Sequence, residues 1–83
     1  MLKVEWTKDA FEDLRNLDKP IAKRILNKIT WFTQHFDNIT PEPLSGELVG
    51  TYKLRIGDWR VIYTIELDII VIQAVGHRKE IYK

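Results

Sequence analysis

Residues 52–63 read YKLRIGDWRVIY, and this stretch predicts a β-hairpin. Both halves alternate and are rich in aromatic and β-branched residues, while the GD between them supplies a two-residue turn whose first position suits glycine. If Ile56 faces Trp59 across the turn, Arg55 lies directly opposite Arg60 on the same face. Like charges in directly opposed positions destabilise a sheet. The hairpin therefore raises the question of what these cations do.

The whole chain has the composition of one small globular domain. It has 83 residues, 45% of them hydrophobic and 30% charged, with a formal net charge of +1. So small a net charge argues against nucleic-acid binding through bulk charge, and any phosphate site must be local. Because the chain has no cysteine, it has no disulfide or thiol nucleophile, and we expect the protein to be located in a reducing cytoplasm. We expect neither a secretory signal nor a membrane span, since the longest purely apolar run is 69–72.

The helix signals lie in the first half of the chain. Leu2 to Trp6 alternates as a short strand, and Thr7 suits the N-cap of a first helix that ends near Asn16. Asp18 followed by KP begins a second helix, because proline is tolerated in a first turn. The apolar stripe of that helix comprises Ile21, Ile25, Ile29, Phe32 and Phe36. The proline- and glycine-rich segment FDNITPEPLSGELVG predicts a loop.

Three strands follow the loop, at about 51–56, 59–66 and 69–77. The fold class is therefore α+β in the order β-α-α-β-β-β, with an N-terminal strand and a two-helix hairpin packed on a three- to four-stranded antiparallel sheet. One set of alternate positions is nearly all apolar and predicts the face that meets the helices: Leu54, Ile56, Trp59, Val61, Tyr63, Ile65, Ile70, Ile72 and Ala74. The opposite face carries Lys53, Arg55, Arg60, Thr64, Gln73 and His77, with Ile62, Ile69, Val71 and Val75.

The cations of the hairpin converge at one end of this uncovered face. With a turn at residues 67–68, Arg60 comes opposite Val75 and His77 lies at the same end of the sheet. Planar guanidinium groups suit phosphate, and several fixed cations stabilise a pentacoordinate phosphoryl transition state. We interpret the repulsion as tolerated because an anion binds there. The alternative, an ordinary solvated sheet face, stays open.

Metal-dependent nuclease chemistry is not indicated. Two-metal sites need converging carboxylates, and the two histidines, His35 and His77, show no ligand spacing. We interpret His35 as a surface residue near a helix C-terminus. Cleavage of RNA needs no metal when the 2′-hydroxyl attacks the adjacent phosphate, provided that a base takes its proton and an acid protonates the leaving oxygen. The expectation is a site without metal or cofactor.

The segments LRIGDWRVIY and GHRKEIY resemble the RelE/ParE superfamily of type II toxin-antitoxin toxins, in particular its RelE-like mRNA interferase branch. The resemblance extends over nearly the whole chain. It implies a toxin that cuts messenger RNA in the ribosomal A site without a metal and so inhibits translation. By position, it implies that Arg55 and Arg60 hold the scissile phosphate, that Lys53 has an electrostatic or base role, and that Arg78 binds phosphate or donates a proton.

Two further site residues rest on the resemblance. Tyr82 matches a C-terminal aromatic that positions or stacks on a base. Glu42, within PEPL, matches a glutamate that acts as general base in the YoeB-like branch. His77 is a further acid or base candidate because its side chain titrates near neutral pH. Some relatives have a second lysine where this chain has Thr51, so the general base stays open between Glu42, His77 and Lys53.

The resemblance also implies partners and a cytoplasmic location. We expect a RelB-like antitoxin, largely disordered when free, that covers the basic site and the apolar strip of Ile62, Ile69 and Val71. The 70S ribosome and mRNA are further expected partners, operator DNA is expected to bind only via the antitoxin, and no membrane is involved. Two other functions stay open: a ParE-like DNA gyrase inhibitor that acts by binding, and a non-catalytic homologue.

Overall fold

The computed structural model describes residues 2–44 and 50–81. Two helices and five strands occur in the described ranges, and the strand and helix order of the sequence prediction is confirmed with one strand added. The elements are β1 (Lys3–Trp6), α1 (Lys8–Arg15), α2 (Lys19–Gln34), a 3-10 helix (Phe36–Asn38), β2 (Glu42–Pro43), β3 (Tyr52–Ile56), β4 (Trp59–Glu66) and β5 (Ile69–His77). Neither helix is long and apolar enough to cross a membrane.

The strands form one mixed sheet in the order β1-β5-β4-β3-β2. The α+β class is confirmed, but the sheet has five strands and β1 runs parallel to β5, whereas three to four antiparallel strands were predicted. β2 is only two residues long and contains a proline, so it carries no alternation that a sequence reading could detect. The parallel pair joins the two ends of the chain, which no local pattern specifies.

The helices begin where their capping residues predict. The Thr7 hydroxyl accepts a hydrogen bond from the Ala10 backbone N–H at 3.1 Å. Asp18 is the N-cap residue of α2, and Pro20 lies in the first turn. The middle of the predicted stripe of α2 is buried against the sheet, and the core consists of Ala10, Ile25, Ile29, Phe32, Ile56, Val61, Tyr63, Ile70, Ile72 and Val75. Because α2 covers one face of the sheet, the other face remains open.

A β-bulge divides the pairing of β4 with β5. Tyr63 pairs with Ile72, as a turn at residues 67–68 requires, but Ile62 pairs with Ala74. Gln73 is therefore an extra residue on β5, and every later residue of that strand changes face. Its amide donates a hydrogen bond to the hydroxyl of Thr64 at 3.1 Å.

The bulge corrects two predicted positions. Val75, not Ala74, enters the core, where it is 5% exposed. Arg60 pairs with Gly76 rather than with Val75. A carboxylate of Asp13 on α1 accepts the Val75 backbone N–H at 3.0 Å, which satisfies the donor at the irregular step. This hydrogen bond connects the bulged segment of β5 to α1.

Candidate functional site

Strands β3 and β4 present the predicted cations on the open face of the sheet. Arg55 pairs with Arg60, and Lys53 pairs with Ile62, so the hairpin register read from the sequence is confirmed. The turn glycine, Gly57, has a φ of 59°, which is the left-handed region that glycine adopts without strain. We refer to Lys53, Arg55, Arg60 and Arg78 below as the basic cluster.

A strand that the sequence did not predict supplies the counter-charge for two members of the cluster. β2 pairs Glu42 with Lys53. The Arg55 guanidinium donates a hydrogen bond to Oε1 of Glu42 at 2.6 Å, and Nζ of Lys53 lies 3.7 Å from the same oxygen. Glu42 was assigned to a loop, because the PEPL motif has no strand pattern. The pairing shows how one carboxylate offsets the repulsion on β3.

Arg60 has a different environment from Arg55. Its Nη1 donates to the carbonyl oxygens of Gly57 at 2.7 Å and Trp59 at 2.8 Å. It forms no ion pair with any acidic residue that the structure describes. Neutral acceptors orient the guanidinium but leave its positive charge uncompensated. Arg60 is therefore the member of the cluster best prepared for an incoming anion.

Arg78 is held at the same hairpin turn. Its backbone N–H donates to the carbonyl of Asp58 at 2.8 Å, and its Nε lies 3.4 Å from the Asp58 carboxylate. The side chain is 53% exposed, so the ion pair exchanges readily with solvent. These contacts place the residue after β5 beside the turn from which Arg60 extends. The structure thus brings together three arginines from three positions in the chain.

His77 faces away from the position predicted for it. The bulge pairs it with Trp59, which packs against the core, and the two rings meet edge to face at 5.4 Å. Its Nδ1 accepts a hydrogen bond from the Lys79 backbone N–H at 3.2 Å. The prediction that His77 shares a face with the cations was wrong, because one extra residue in β5 reverses the alternation.

The C-terminal turn folds back over the end of β5. The backbone N–H groups of Glu80 and Ile81 donate to the carbonyl of His77 at 2.9 and 3.0 Å. A Cβ atom at Gly76 would lie 3.4 Å from Cδ1 of Ile81, so the Ile81 side chain packs against the backbone of this glycine. Gly76 is the residue that pairs with Arg60. Tyr82, the predicted base-stacking residue, lies outside the described residues.

A cleft of about 150 Å³ lies next to the Glu42 side of the cluster. Its lining includes Glu42, Lys53, Arg55 and Tyr63. The Tyr63 hydroxyl is buried and has no hydrogen-bond partner among the described residues. Burial raises the pKa of Tyr63 from 10.0 to about 12, and the charges of Tyr52 and Glu42 act in the same direction.

Replacing Tyr63 by phenylalanine tests this environment. The neutral phenol is favoured by the folded state, so its contribution to stability is fully present below pH 10 and is lost as the pH rises through about 12. Tyr63→Phe should remove the phenolate transition near pH 12 and flatten the loss of stability above pH 10. At pH 7 its unfolding free energy should rise by about 1 kcal/mol, because an unpaired buried hydroxyl is removed.

Ultraviolet titration and urea unfolding at several pH values measure both effects. Tyr52→Phe is the comparison variant, since Tyr52 stacks on Tyr63 at 5.6 Å and lies on the adjacent strand. It should keep the Tyr63 phenolate transition but move it to lower pH, because the charge of Tyr52 raises the pKa of Tyr63. A Tyr63→Phe protein with the wild-type alkaline titration would contradict the assignment.

The sequence and the fold both match known toxins. Residues 4–82 match the family model of the ParE toxin of type II toxin-antitoxin systems, parDE. The chain belongs to that family. Toxin RelG of Mycobacterium tuberculosis is 35% identical over an alignment of 88 positions that covers 96% of this chain and 94% of RelG. The resemblance to RelE/ParE toxins that the hairpin indicates is thus confirmed.

Solved structures of RelE/ParE toxins have the same architecture. The chain is similar to the RelBE2 toxin-antitoxin complex of Mycobacterium tuberculosis, with a TM-score of 0.82 and 29% identity over 93% of this chain and 98% of that one. It is also similar to the isolated RelE toxin of Escherichia coli, with a TM-score of 0.76 over 99% of this chain and 92% of that one. At 18% identity, the second similarity concerns the fold alone.

Proposed function

We propose that this toxin is a ribosome-dependent, metal-independent endoribonuclease that cleaves messenger RNA in the A site. The observation that carries the proposal is the basic cluster itself, in which one carboxylate contacts two cations and Arg60 keeps an uncompensated charge. Such an arrangement provides a local phosphate site in a chain whose net charge is only +1. It also answers the question that the hairpin raises.

The reaction that suits these residues is an internal phosphoryl transfer. The 2′-oxygen of the RNA attacks the adjacent phosphorus and loses its proton to a base, while the bond from phosphorus to the 5′-oxygen breaks and that oxygen gains a proton from an acid. The products are a 2′,3′-cyclic phosphate and a 5′-hydroxyl end. Arg55, Arg60 and Arg78 bind the phosphate and stabilise the added charge of the transition state.

Glu42 is the general base in this proposal. Its Oε1 already contacts Arg55 and Lys53, so a phosphate that draws these cations away leaves the carboxylate free beside the bound group. His77 is less suited to the role because it packs against Trp59 on the other face. Arg78 serves as the proton donor, and Tyr82 stacks on a base of the substrate.

We also propose a RelB-like antitoxin as the neutralising partner, in the cytoplasm. The similarity to the RelBE2 toxin-antitoxin complex supports this partner. An acidic segment that lies over the basic cluster would block the phosphate site and satisfy Arg60. Operator DNA would then bind through the antitoxin.

A second function is inhibition of DNA gyrase by binding, without catalysis. The observation that favours it is the match to a family model described for the ParE toxin. The two functions differ in what they require of the site. Cleavage requires groups placed to accept and donate a proton beside the bound phosphate, whereas inhibition by binding requires neither.

Primer extension on a translated messenger RNA in a purified translation system tests the proposal. Wild-type toxin should produce new 5′ ends in register with codons, and these should vanish without ribosomes or when the nucleotide 5′ to the cut is 2′-deoxy. Lys19→Gln, which removes a surface charge at the start of α2, is the matched control and should cleave as wild type does. No cuts from the folded protein, together with inhibition of gyrase supercoiling, would overturn the nuclease proposal.

A further inference from the structure

A second basic cleft lies between α2 and the β3–β4 turn. It has a volume of about 410 Å³, and its lining includes Arg24, Lys28 and Trp31 from α2 with Arg55 and Gly57 from the hairpin. Arg24 and Lys28 lie outside the apolar stripe of α2. Their convergence on the hairpin follows from the way α2 packs over the sheet. Arg55 lines both this cleft and the cleft beside Glu42.

The α2 wall of this cleft carries two cations, Arg24 and Lys28. A Cβ atom at Gly57 would lie 2.7 Å from Nη2 of Arg24, so the guanidinium lies directly against the turn backbone. Neither Arg24 nor Lys28 forms an ion pair with an acidic residue in the described part of the chain. Two cations beside one cleft, without an acidic partner among the described residues, create a positive potential that attracts an anion.

An exposed aromatic residue completes the cleft. Trp31 is 43% exposed, and the imidazole of His35 stacks on it with ring centroids 4.6 Å apart. Nζ of Lys28 lies 4.0 Å from the centroid of the Trp31 ring. Nδ1 of His35 lies 2.8 Å from the Trp31 carbonyl oxygen, which fixes the imidazole. The flexible side chain of Lys28 is therefore displaced from the Trp31 ring by a planar ligand more easily than the fixed imidazole of His35.

We propose that the α2 cleft binds the RNA strand next to the scissile phosphate, with a base stacked near Trp31 and a backbone phosphate between Arg24 and Lys28. Cations that follow the backbone beside an aromatic platform are the features by which proteins hold single-stranded nucleic acid without sequence preference. The shared wall at Arg55 leads the strand from the basic cluster into this cleft. The inference rests on the proposed function for the identity of the ligand.

Equilibrium binding of uncleavable RNA tests the inference without ribosomes or catalysis. The probes are fluorescent 2′-O-methyl oligoribonucleotides of three and ten nucleotides, measured by anisotropy. Arg24→Gln combined with Trp31→Leu should weaken binding of the ten-nucleotide probe about tenfold and leave the three-nucleotide probe unchanged. Arg24→Gln alone should reduce the salt dependence of ten-nucleotide binding by roughly 0.7 in log–log slope, because one phosphate contact is lost.

Lys23→Gln is the matched control, because it removes a charge from the adjacent exposed position of α2 outside the cleft lining. It should leave binding of both probes unchanged. Equal losses for both probes, or none for either, would overturn the inference. A hexaglutamate peptide is the competing probe, and loss of its binding without loss of RNA binding would also overturn it. Because these assays require no cleavage, loss of ten-nucleotide binding alone would support the α2 cleft even if the translation assay found no cuts.

Discussion

Replacing Arg60 by alanine is expected to lower the rate constant of messenger RNA cleavage by about 10²- to 10³-fold, the cost of losing one preorganised donor to a developing charge. Arg60 differs from the other hairpin arginine because, among the described residues, its hydrogen bonds go to two carbonyl oxygens, at 2.7 and 2.8 Å, and not to a carboxylate. Its full charge is therefore available to the transition state. Single-turnover cleavage on ribosomes preloaded with messenger RNA measures the rate constant directly.

Two comparisons separate charge loss from damage to the turn. Arg60→Ala also loses the hydrogen bonds to the turn carbonyls, so its unfolding free energy should fall by only about 1 kcal/mol. Arg15→Ala removes an exposed arginine that contacts Glu12 at 3.6 Å on α1, and it should cleave at the wild-type rate. An Arg60→Ala protein that is folded and cleaves within tenfold of wild type would refute the role assigned to this guanidinium.

Replacing Glu42 by glutamine is expected to reduce the cleavage rate constant by about 10²- to 10⁴-fold, the usual contribution of a general base. The substitution also removes the charge that holds Arg55 and Lys53, so the substrate should bind at least as tightly as to wild type. The expected signature is therefore a fall in kcat without a rise in KM. Steady-state and single-turnover rates measure these effects.

The alternative role for Glu42 is charge neutralisation alone, and it predicts the opposite result. If the carboxylate only neutralises its two neighbours, Glu42→Gln removes its charge from both cations and should cleave faster than wild type, which would exclude Glu42 as the base. Glu12→Gln is the matched control, because Glu12 is an exposed glutamate that also contacts an arginine. It should change neither kcat nor KM.

The position of Glu42 explains how the free toxin accommodates the repulsion between Arg55 and Arg60. Arg55 and Arg60 are directly opposed on neighbouring strands, yet their guanidinium groups have different partners. Arg55 donates to the Glu42 carboxylate and Arg60 donates to the turn backbone, so the two guanidinium groups are directed toward different acceptors. A phosphate that binds between them would replace the carboxylate contact of Arg55, and the proposed base would be freed in the same step.

The hairpin and the starts of both helices were predictable because their causes are local. The GD turn sets the register of β3 against β4, so the pairing of Arg55 with Arg60 follows from residues at most five positions apart. Thr7 caps α1 through a contact three residues along the chain. The hairpin motif LRIGDWRVIY together with the C-terminal GHRKEIY also indicated the family, which the match over residues 4–82 confirms.

The sequence by itself therefore determined the α+β class, the β3–β4 register and the toxin family. Only the tertiary structure decided the surroundings of the cations. The pairing of Glu42 with Lys53, the bulge that turns His77 toward Trp59, and the convergence of Arg24 on Gly57 each depend on contacts between distant segments. Hydropathy alternation records which side of a strand is buried, but it does not record an inserted residue or the neighbour that a strand edge or helix flank will meet.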